Sequence, residues 1–249
     1  MNSKKFENKL SKSGPSYQPL YKQVEEHVTQ LIIEQRWKPG DILPNEFKLA
    51  EEFNVSQGTV RKALNELTGS KILQRKQGIG TFVSEHTEQQ ALYRFFPLVA
   101  DGEKPELPTS ETLFRKIISA PEEVIENLEL KANENVIFFS RRRTIDDEIC
   151  ILEDIYLPEK YFKGFMQEQE IPHTLYHFYQ TSYQHTVQDI SDKIKAISAS
   201  KSDAEQLKIK EKEPLLLFTR LARTLNGELI EYRITRCRSD KYHYLVNLS

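Results

Sequence analysis

Hydrophobic residues recur at two different spacings along the chain, and the change of spacing divides it into two parts. Between residues 19 and 67, apolar residues return every three or four positions, which predicts amphipathic helices. After residue 91, apolar and polar residues alternate, which predicts strands with one buried face. The pattern therefore predicts a helical N-terminal part followed by a part in which strands dominate.

The N-terminal part first predicts a scaffold helix and a shorter second helix. Apolar residues at helical spacing mark the first helix over residues 19–36. The side chain of Asn45 can cap the second helix. We expect that helix to bury Phe47, Ala50 and Phe53, because these residues recur at helical spacing.

A sharp turn and a third helix follow directly. Asparagine tolerates the left-handed conformation that a tight reversal needs, so Asn54-Val55 predicts the turn. Ser56 can cap the third helix, which has an apolar stripe from Val60 to Leu67. The opposite face is polar and cationic near the helix N-terminus, where backbone N–H groups also favour phosphate. The residues of this face are Gln57, Gly58, Thr59, Arg61 and Lys62.

Short apolar segments at residues 72–73 and 81–83 predict a β-hairpin whose tip is Gly78-Ile79-Gly80. We expect residues 75–77 at its base, where their side chains suit phosphate or minor-groove contacts. Helix, turn, helix and hairpin together predict a winged helix-turn-helix domain whose third helix reads DNA. The alternative is a mildly basic face on a winged helix that binds protein.

The rest of the chain predicts an α+β domain, with an antiparallel sheet and helices in its connections. Asn226-Gly227 is the strongest hairpin signal, between strands at 215–225 and 228–238. Asp146-Asp147 predicts a second hairpin, between strands at 135–145 and 149–157. Further strands are predicted over residues 91–99, 113–118, 185–197 and 242–246, and helices over residues 121–130, 158–167, 172–182 and 203–209.

Length and charge fit two domains with different partners. The 249 residues suit a flexible tail (1–18), a DNA-binding domain (19–84), a linker (85–90) and a second domain (91–249). Residues 1–85 hold 13 Lys and Arg against 10 Asp and Glu, whereas residues 86–249 hold 22 against 27. A mildly basic head on an acidic remainder favours DNA binding through a local patch.

Several classes of protein are disfavoured. Two cysteines, Cys150 and Cys237, do not make a secreted disulfide framework. Apolar runs stay below the roughly 18 residues of a membrane span, and no signal peptide is evident, so we expect a cytoplasmic protein that does not contact membranes. His173 and His177 have the spacing of half a metal site, but a surface pair is favoured. No cofactor motif is found.

The N-terminal part resembles the DNA-binding domain of the GntR family of bacterial transcription regulators. The resemblance rests on the run PGD-x-LPNE-x-x-LAEEF-x-VSQGTVRKAL-x-x-L and on QGIGTFV. Gln57 departs from the arginine common in that family, and Asn45 replaces a common serine. The resemblance implies contacts with double-stranded operator DNA from Asn45, Glu46, Lys48, Ser56, Gln57, Gly58, Thr59, Arg61, Lys76, Gly78 and Gly80.

Residues 91–248 resemble the UTRA effector-binding domain of the HutC-type GntR subfamily, whose fold is like that of chorismate lyase. The motifs, in order, are Arg-x-Arg, an Asp-Asp turn, Glu-Asp-x-Tyr-Leu-Pro, an Asn-Gly turn, Glu-Tyr and Arg-Ser-Asp-Lys-Tyr. The resemblance implies a ligand-responsive regulator, most often a repressor, that binds a pseudo-palindromic operator as a homodimer joined through its C-terminal sheets.

Two arginines are the first candidates for the effector site. Strand alternation places Arg141 and Arg143 on one face and Arg142 on the other. Two guanidinium groups on one face repel each other unless a shared anion neutralises them. The alternatives are a solvated outer face or pairing with the acidic residues 146–148. The resemblance implies instead that these arginines hold an anionic effector, which would be a phosphorylated sugar, a carboxylate or an imidazole acid.

Further candidates lie on other strands. Glu153 lies on an apolar strand face, where a carboxylate is costly unless it is paired. It matches an acidic effector contact of the family, and the alternative is an internal ion pair with an arginine. Glu231, which shares a face with Arg233, matches a second such contact, and Thr174 matches a hydroxyl at a helix start. Cys237 stands where many sugar-phosphate-responsive relatives have tyrosine, which weakens the case for a sugar phosphate.

A regulator without catalytic activity is the leading hypothesis for the whole chain. The first alternative is an enzyme of chorismate-lyase-like fold tethered to DNA, but no acid–base pair is evident beyond Glu153 and Glu231. The second alternative is an architectural DNA binder with an inactive pocket.

Overall fold

The computed structural model describes residues 18–86, 98–102 and 108–245. The chain divides into two compact units, residues 1–85 and residues 86–249. Each unit has buried apolar residues of its own. The predicted tail, most of the predicted linker and most of the predicted strand at 91–99 lie outside the described residues.

The first unit has the predicted order of helix, helix, turn, helix and hairpin. Its first helix ends earlier than predicted, because Gln35 adopts a left-handed backbone conformation with φ 61°. The bounds are α1 (Leu20–Ile33), α2 (Glu46–Phe53), α3 (Gln57–Gly69), β1 (Leu73–Lys76) and β2 (Gly80–Val83).

Side-chain caps set the first residues of α2 and α3, as predicted. The Asn45 side chain accepts a hydrogen bond of 2.9 Å from the backbone N–H of Lys48. Ser56 Oγ accepts one of 3.1 Å from the N–H of Thr59. Between the helices Asn54 is left-handed, with φ 54°. These bonds satisfy N–H groups that have no partner within a helix, so the turn is well defined.

The predicted buried face of α2 is partly wrong. Phe47 is 59% exposed, whereas Leu49, Ala50 and Phe53 are buried. Phe47 precedes Leu49 by two residues, or about 200° around the helix, so the two side chains point in opposite directions. Ala50 and Phe53 can form an apolar face with either Phe47 or Leu49. Only packing against the other helices selects the face that contains Leu49.

The tip of the hairpin also differs from the prediction. Lys76 pairs with Gly80 at the end of the ladder, and Arg75 pairs with Thr81. Both cations therefore lie near the tip of the wing and not at its base.

The second unit is an antiparallel α+β domain, as predicted. Its six-stranded sheet has the order β4-β5-β6-β9-β8-β7, and β3 pairs with β10 in a separate ribbon. The bounds are β3 (Leu98–Ala100), β4 (Thr109–Ser119), β5 (Asn135–Ile145), β6 (Glu148–Pro158), β7 (Val187–Ser198), β8 (Pro214–Thr224), β9 (Leu229–Arg238) and β10 (Tyr242–Tyr244).

Both predicted hairpin turns are confirmed. Asp146 and Asp147 have φ 47° and 61° between β5 and β6, and Gly227 has φ 86° between β8 and β9. In the first hairpin Arg141 lies directly opposite Glu153. The turn therefore sets the register that brings two of the candidate effector residues together.

In the described part of the second unit, three helices connect the strands: α4 (Glu122–Leu128), α5 (Leu175–Ser182) and α6 (Lys201–Leu207). The helix predicted over residues 158–167 is wrong. Two single 3-10 turns occupy that segment, and Gly164 between them has φ 89°. Phe178 and Tyr179 of α5 share an apolar core with residues of β5 and β6, so α5 covers the sheet face that carries Arg141.

The correction in α2 gives a direct stability test. We expect Leu49→Ala to lower the free energy of unfolding by about 2–5 kcal/mol, because it opens a cavity in the core. Phe47→Ala should change it by less than about 0.5 kcal/mol. Urea unfolding followed by the fluorescence of Trp37, the single tryptophan, reports on this unit. Equal losses in the two variants would contradict the assigned face.

Candidate DNA-binding and effector-binding sites

The polar face of α3 is directed outward, as its sequence predicts. Val60, Ala63, Leu64 and Leu67 are buried beneath it. Gln57, Gly58 and Arg61 are exposed, and Thr59 is partly exposed. Lys62 lies 3.8 Å from the centre of the Tyr21 ring, a cation–π contact that joins α3 to α1.

The start of α3 is an open polar surface. Ser56 Oγ lies 2.8 Å from Thr59 Oγ1 in addition to its capping bond. A Cβ added to Gly58 would meet only Ser56 Oγ, at an ordinary contact distance of 3.8 Å. Packing within the unit therefore does not require glycine here, and the space above it is open to an approaching phosphate.

Glu46 joins the recognition helix to the wing. Its Oε2 accepts a hydrogen bond of 2.8 Å from Nε of Arg61 on α3. Its Oε1 accepts one of 3.2 Å from Nη2 of Arg75 on β1. The family resemblance implies that Glu46 contacts DNA. In the structure its carboxylate pairs with two exposed guanidinium groups, one on the recognition helix and one on the wing. Arg75 is not among the contacts that the resemblance implies, although the hairpin pattern alone makes it a candidate for phosphate.

The glycines of the wing shape its tip. Gly78 has φ 72° in the turn. At Gly80, with φ 153°, an added Cβ would lie 2.8 Å from Cδ1 of Ile42. Lys76 is exposed, and its Nζ lies 4.4 Å from the centre of the Phe82 ring. Asn45 is engaged as a helix cap, and Lys48 is exposed on α2.

Arg141, Arg143 and Glu153 are brought together on one buried face of the sheet. Their exposed fractions are 0%, 3% and 1%. Arg142 points to the other face, where it pairs with the exposed Glu111 at 2.6 Å. Strand alternation is thus confirmed, and the solvated-face alternative for Arg141 and Arg143 is wrong.

Three arginines surround the Glu153 carboxylate. Arg141 donates to Oε2 from Nη2 at 2.6 Å and from Nε at 3.1 Å. Arg233 donates to Oε1 at 2.9 Å, and Nη1 of Arg143 lies 3.7 Å from the same oxygen. The internal ion pair, an alternative in the sequence, is therefore formed. Burial would raise the pKa of Glu153, but the three arginines outweigh it and hold that pKa well below its ordinary value.

Glu231 is held by a second set of donors. Its Oε1 accepts hydrogen bonds from Tyr176 at 2.9 Å and from Arg233 Nε at 3.0 Å. Its Oε2 accepts them from Tyr179 and from Arg233 Nη2, each at 2.8 Å. Burial, together with the negative charge of Glu231, raises the pKa of both tyrosines, which therefore stay protonated as donors.

Arg233 completes what we call the arginine–glutamate cluster: Arg141, Arg143, Arg233, Glu153 and Glu231. Strand alternation puts Arg233 on the same face as Glu231, yet the sequence gives no reason to select it. Burial lowers the pKa of Arg143 to about 10, although Glu153 partly offsets this effect. Arg143 still carries its charge at neutral pH.

A cavity of about 690 Å³ lies beside this cluster. Ser110 and Thr112 of β4 form part of its wall, and they are the direct cross-strand partners of Arg143 and Arg141. The opposite wall is the segment 169–174, whose Pro172 carbonyl accepts a hydrogen bond of 3.1 Å from Arg141. The full lining is Ser110, Glu111, Thr112, Phe114, Arg115, Gln169, Glu170, Ile171, Pro172, His173 and Thr174.

The remaining candidates have different surroundings. Thr174 is buried at the start of α5 and lines the cavity. Cys237 lies in an apolar cluster with Cys150 and Phe218, and burial raises its pKa well above the ordinary value. His173 Nδ1 accepts a hydrogen bond of 2.9 Å from the N–H of Ser110.

Metal-binding and membrane-spanning features are absent from the described parts of the chain. Within residues 18–86, 98–102 and 108–245, no three His, Cys, Asp or Glu side chains are grouped to hold a metal ion. No helix of those segments is both long and apolar enough to cross a bilayer.

A winged helix-turn-helix unit followed by a sheet domain with a buried polar site is the architecture of a ligand-responsive DNA-binding regulator. Residues 20–83 match the bacterial regulatory proteins of the gntR family, and residues 105–243 match the UTRA domain. The second match covers more than half of the chain. The chain therefore belongs to the GntR family of transcription regulators, in the HutC subfamily that carries a UTRA domain.

Relatives of similar length are transcription repressors. The mannosyl-D-glycerate transport/metabolism system repressor MngR of Escherichia coli is 28% identical, over 92% of this chain and 96% of its own length. The repressor NagR of Bacillus subtilis is 27% identical, over 96% of this chain and 99% of its own. These matches span both units of the chain.

Solved structures have the same fold. The ligand-binding domain of a GntR-family regulator from Bordetella bronchiseptica has a TM-score of 0.57 and 26% identity, and the match covers 63% of this chain and 99% of that domain. PhnF of Mycobacterium smegmatis has a TM-score of 0.55 and 21% identity, with 91% and 99% covered.

The buried cluster predicts a specific effect of acid. We expect Glu153→Gln to lower the free energy of unfolding at neutral pH by about 3–5 kcal/mol, because it leaves buried arginines without their counter-charge. Glu153 has a lowered pKa in the folded chain, so its stabilisation is complete above the ordinary glutamate value of about 4.3 and is lost as the pH falls below it. Calorimetric unfolding between about pH 7 and pH 3 measures both effects.

Glu111→Gln is the matched control for this variant. Glu111 also pairs with an arginine, but its side chain is 60% exposed. We expect this control to change stability by less than about 1 kcal/mol. If Glu153→Gln kept the stability and the acid sensitivity of the parent, the assigned role of Glu153 would be wrong.

Proposed function

We propose that this regulator binds a pseudo-palindromic operator as a homodimer, and that a small anion bound at the arginine–glutamate cluster changes its affinity for DNA. The observation that supports this most strongly is the charge of the cluster. Among the described residues, three arginines and two glutamates are buried together, so these five side chains carry one more positive charge than negative charges.

Buried charges are costly unless they are paired, and a bound anion would add a further partner for these arginines. Phosphate and carboxylate groups suit guanidinium donors because both can accept two parallel hydrogen bonds from one arginine. Ser110, Thr112 and Thr174 supply hydroxyl groups at the adjacent cavity wall, and these can bind the rest of a polar ligand. The proposed effector is thus a small polar anion.

Access to the arginines requires the segment 169–174 to move. Arg141 is fully buried, and the Pro172 carbonyl accepts one of its hydrogen bonds. A ligand oxygen that took the place of this carbonyl would break a contact between the sheet and the segment that leads into α5. Ligand binding would then alter the position of α5, which begins at Leu175.

On the DNA side, the start of α3 would enter the major groove, with Gln57, Thr59 and Arg61 near base edges or phosphates. Two such helices, one from each subunit, would contact half-sites about 34–36 Å apart. A coupling of about 1–3 kcal/mol between the effector and DNA sites would change operator affinity by roughly 5–150-fold. A regulator of this kind acts in the cytoplasm, where the bacterial DNA lies.

The state of the two buried carboxylates supports a protein that binds its ligand without transforming it. Glu153 has a pKa well below its ordinary value, so it holds no proton to donate at neutral pH. Glu231 accepts four hydrogen bonds, which occupy its oxygens. Glu153 is therefore not in the state of a general acid, and the hydrogen bonds to both carboxylates oppose a role as general base.

The DNA half of the proposal predicts that Arg61→Ala weakens operator binding. We expect a loss of about 5–150-fold, because one charge-assisted contact to a base or phosphate is removed. Fluorescence anisotropy at fixed salt, on a duplex selected from a random pool by the parent protein, measures this. Arg142→Ala, which changes a partly exposed arginine of the second unit, is the control and should bind as the parent does. Parent-like affinity in Arg61→Ala would refute the assignment of the reader helix.

The effector half predicts that at least one small anion raises the melting temperature. A thermal-shift screen over phosphate, phosphosugars, dicarboxylates and imidazole acids should find it, because a ligand that binds only the folded state stabilises that state. Arg143→Ala should abolish the shift, while the remaining two arginines and two glutamates stay balanced in charge. Arg142→Ala should retain it. A shift of equal size in Arg143→Ala would place the anion elsewhere.

A further inference from the structure

Arg233 links the two buried carboxylates of the cluster. It lies on β9 with 6% of its surface exposed. Its Nη1 donates to Glu153 at 2.9 Å, while Nε and Nη2 donate to the two oxygens of Glu231 at 3.0 and 2.8 Å. One guanidinium group therefore uses all three of its nitrogens on protein carboxylates.

These bonds leave the carboxylates little capacity to bind a ligand. A carboxylate has about four lone-pair positions. Glu231 accepts two hydrogen bonds from Arg233, one from Tyr176 and one from Tyr179, which fill them. Glu153 accepts three short hydrogen bonds and has Arg143 3.7 Å away. A ligand ammonium group would have to displace an arginine from one of these residues.

The presence of Arg233 also decides the charge of the site. With it, three arginines face two glutamates. Without it, two arginines would face two glutamates, and the lone pairs that Arg233 now occupies on both carboxylates would be free. A site of that second kind would accept an amine or a hydroxyl group. The same strands would therefore build a site of opposite preference if residue 233 were neutral.

We propose that Arg233 determines the charge class of the effector: the site binds acids that carry hydroxyl groups and rejects otherwise identical acids that carry an ammonium group. This inference rests on the proposed binding of an anion at the cluster. An ammonium group brought beside three buried guanidinium groups would lose its hydration and gain no carboxylate partner, so the site would reject such a ligand.

The acidic residues of the adjacent cavity do not cancel this preference. Glu111 and Glu170 line the cavity, but both are exposed. Glu111 is already paired with Arg142. Exposed ion pairs contribute little to binding or stability, so these carboxylates offer an ammonium group much less than a buried partner would.

Pairs of ligands that differ only in a hydroxyl or an ammonium group test the proposal. Suitable pairs are 3-phosphoglycerate and phosphoserine, glucose 6-phosphate and glucosamine 6-phosphate, and lactate and alanine. Titration calorimetry on the full chain measures each affinity, with inorganic phosphate as the common reference. We expect the hydroxyl member of every pair that binds to bind roughly tenfold or more tightly than the ammonium member, a ratio that corresponds to about 1.4 kcal/mol.

The decisive variant is Arg233→Gln, which should bring that ratio to about one or reverse it. Arg236→Gln is the matched control, because Arg236 lies on the same strand but pairs with Asp154 on the other face of the sheet. It should keep the ratio of the parent. Arg233→Lys keeps a charge but cannot bridge both carboxylates, so an intermediate ratio is expected from it. Operator binding and circular dichroism confirm that each variant is folded.

The outcomes separate this inference from the proposed function. If the parent binds neither these ligands nor any anion of the thermal-shift screen, both fail. If it binds only another anion of that screen, the hydroxyl and ammonium forms of that anion make the deciding pair. If the parent binds these anions but prefers the ammonium members or does not discriminate, the proposed function stands and the role of Arg233 is wrong. The role of Arg233 is also wrong if Arg233→Gln folds and keeps the ratio of the parent. Should Arg233→Gln not fold, the ratio measured on the parent and on Arg233→Lys decides.

Discussion

The second unit depends on one constraint, which is that buried arginines must be neutralised inside an antiparallel sheet. Glu153 accepts hydrogen bonds from Arg141 on β5 and from Arg233 on β9, so the central strands are tied by charge as well as by their backbone ladders. Such a cluster stabilises the sheet only in the charge state in which every member has its partner. In the proposed function an anion bound at the cluster changes this balance of charge, which is the property that a sensor domain needs.

The first unit uses the same chemistry at its surface. Glu46 accepts hydrogen bonds from Arg61 of the recognition helix and from Arg75 of the wing. These two arginines lie on different elements, and Glu46 is a partner that they share. An exposed pair of this kind adds little stability, but it restricts the positions of two groups that would face DNA. In both units a carboxylate therefore orients arginines, and in both the arginines are the residues proposed to meet the ligand.

Local chemistry makes much of the fold predictable. Asn45 and Ser56 cap helices, Asn54 makes the turn, and Asp146-Asp147 and Gly227 close hairpins, because each effect needs only a few neighbouring residues. The prediction for Phe47 is wrong because Ala50 and Phe53 fit two stripes and only tertiary packing chooses between them. The alternation of side chains along a strand correctly predicts that Arg141 shares a sheet face with Arg143 and that Glu153 lies on an apolar face. The partnership of Arg233 with Glu153 is not predictable, since it depends on β9 pairing with β6 across some 80 residues of chain.

An anion at the arginine–glutamate cluster and DNA at α3 should be energetically coupled, and this coupling is what makes the chain a regulator. The most direct measurement is operator affinity with and without a stabilising anion, for the parent and for Arg143→Ala, at one salt concentration. We expect a change of roughly 5–150-fold in the parent and none in the variant. An anion that bound the parent and left its operator affinity unchanged, or that acted equally on Arg143→Ala, would contradict the coupling.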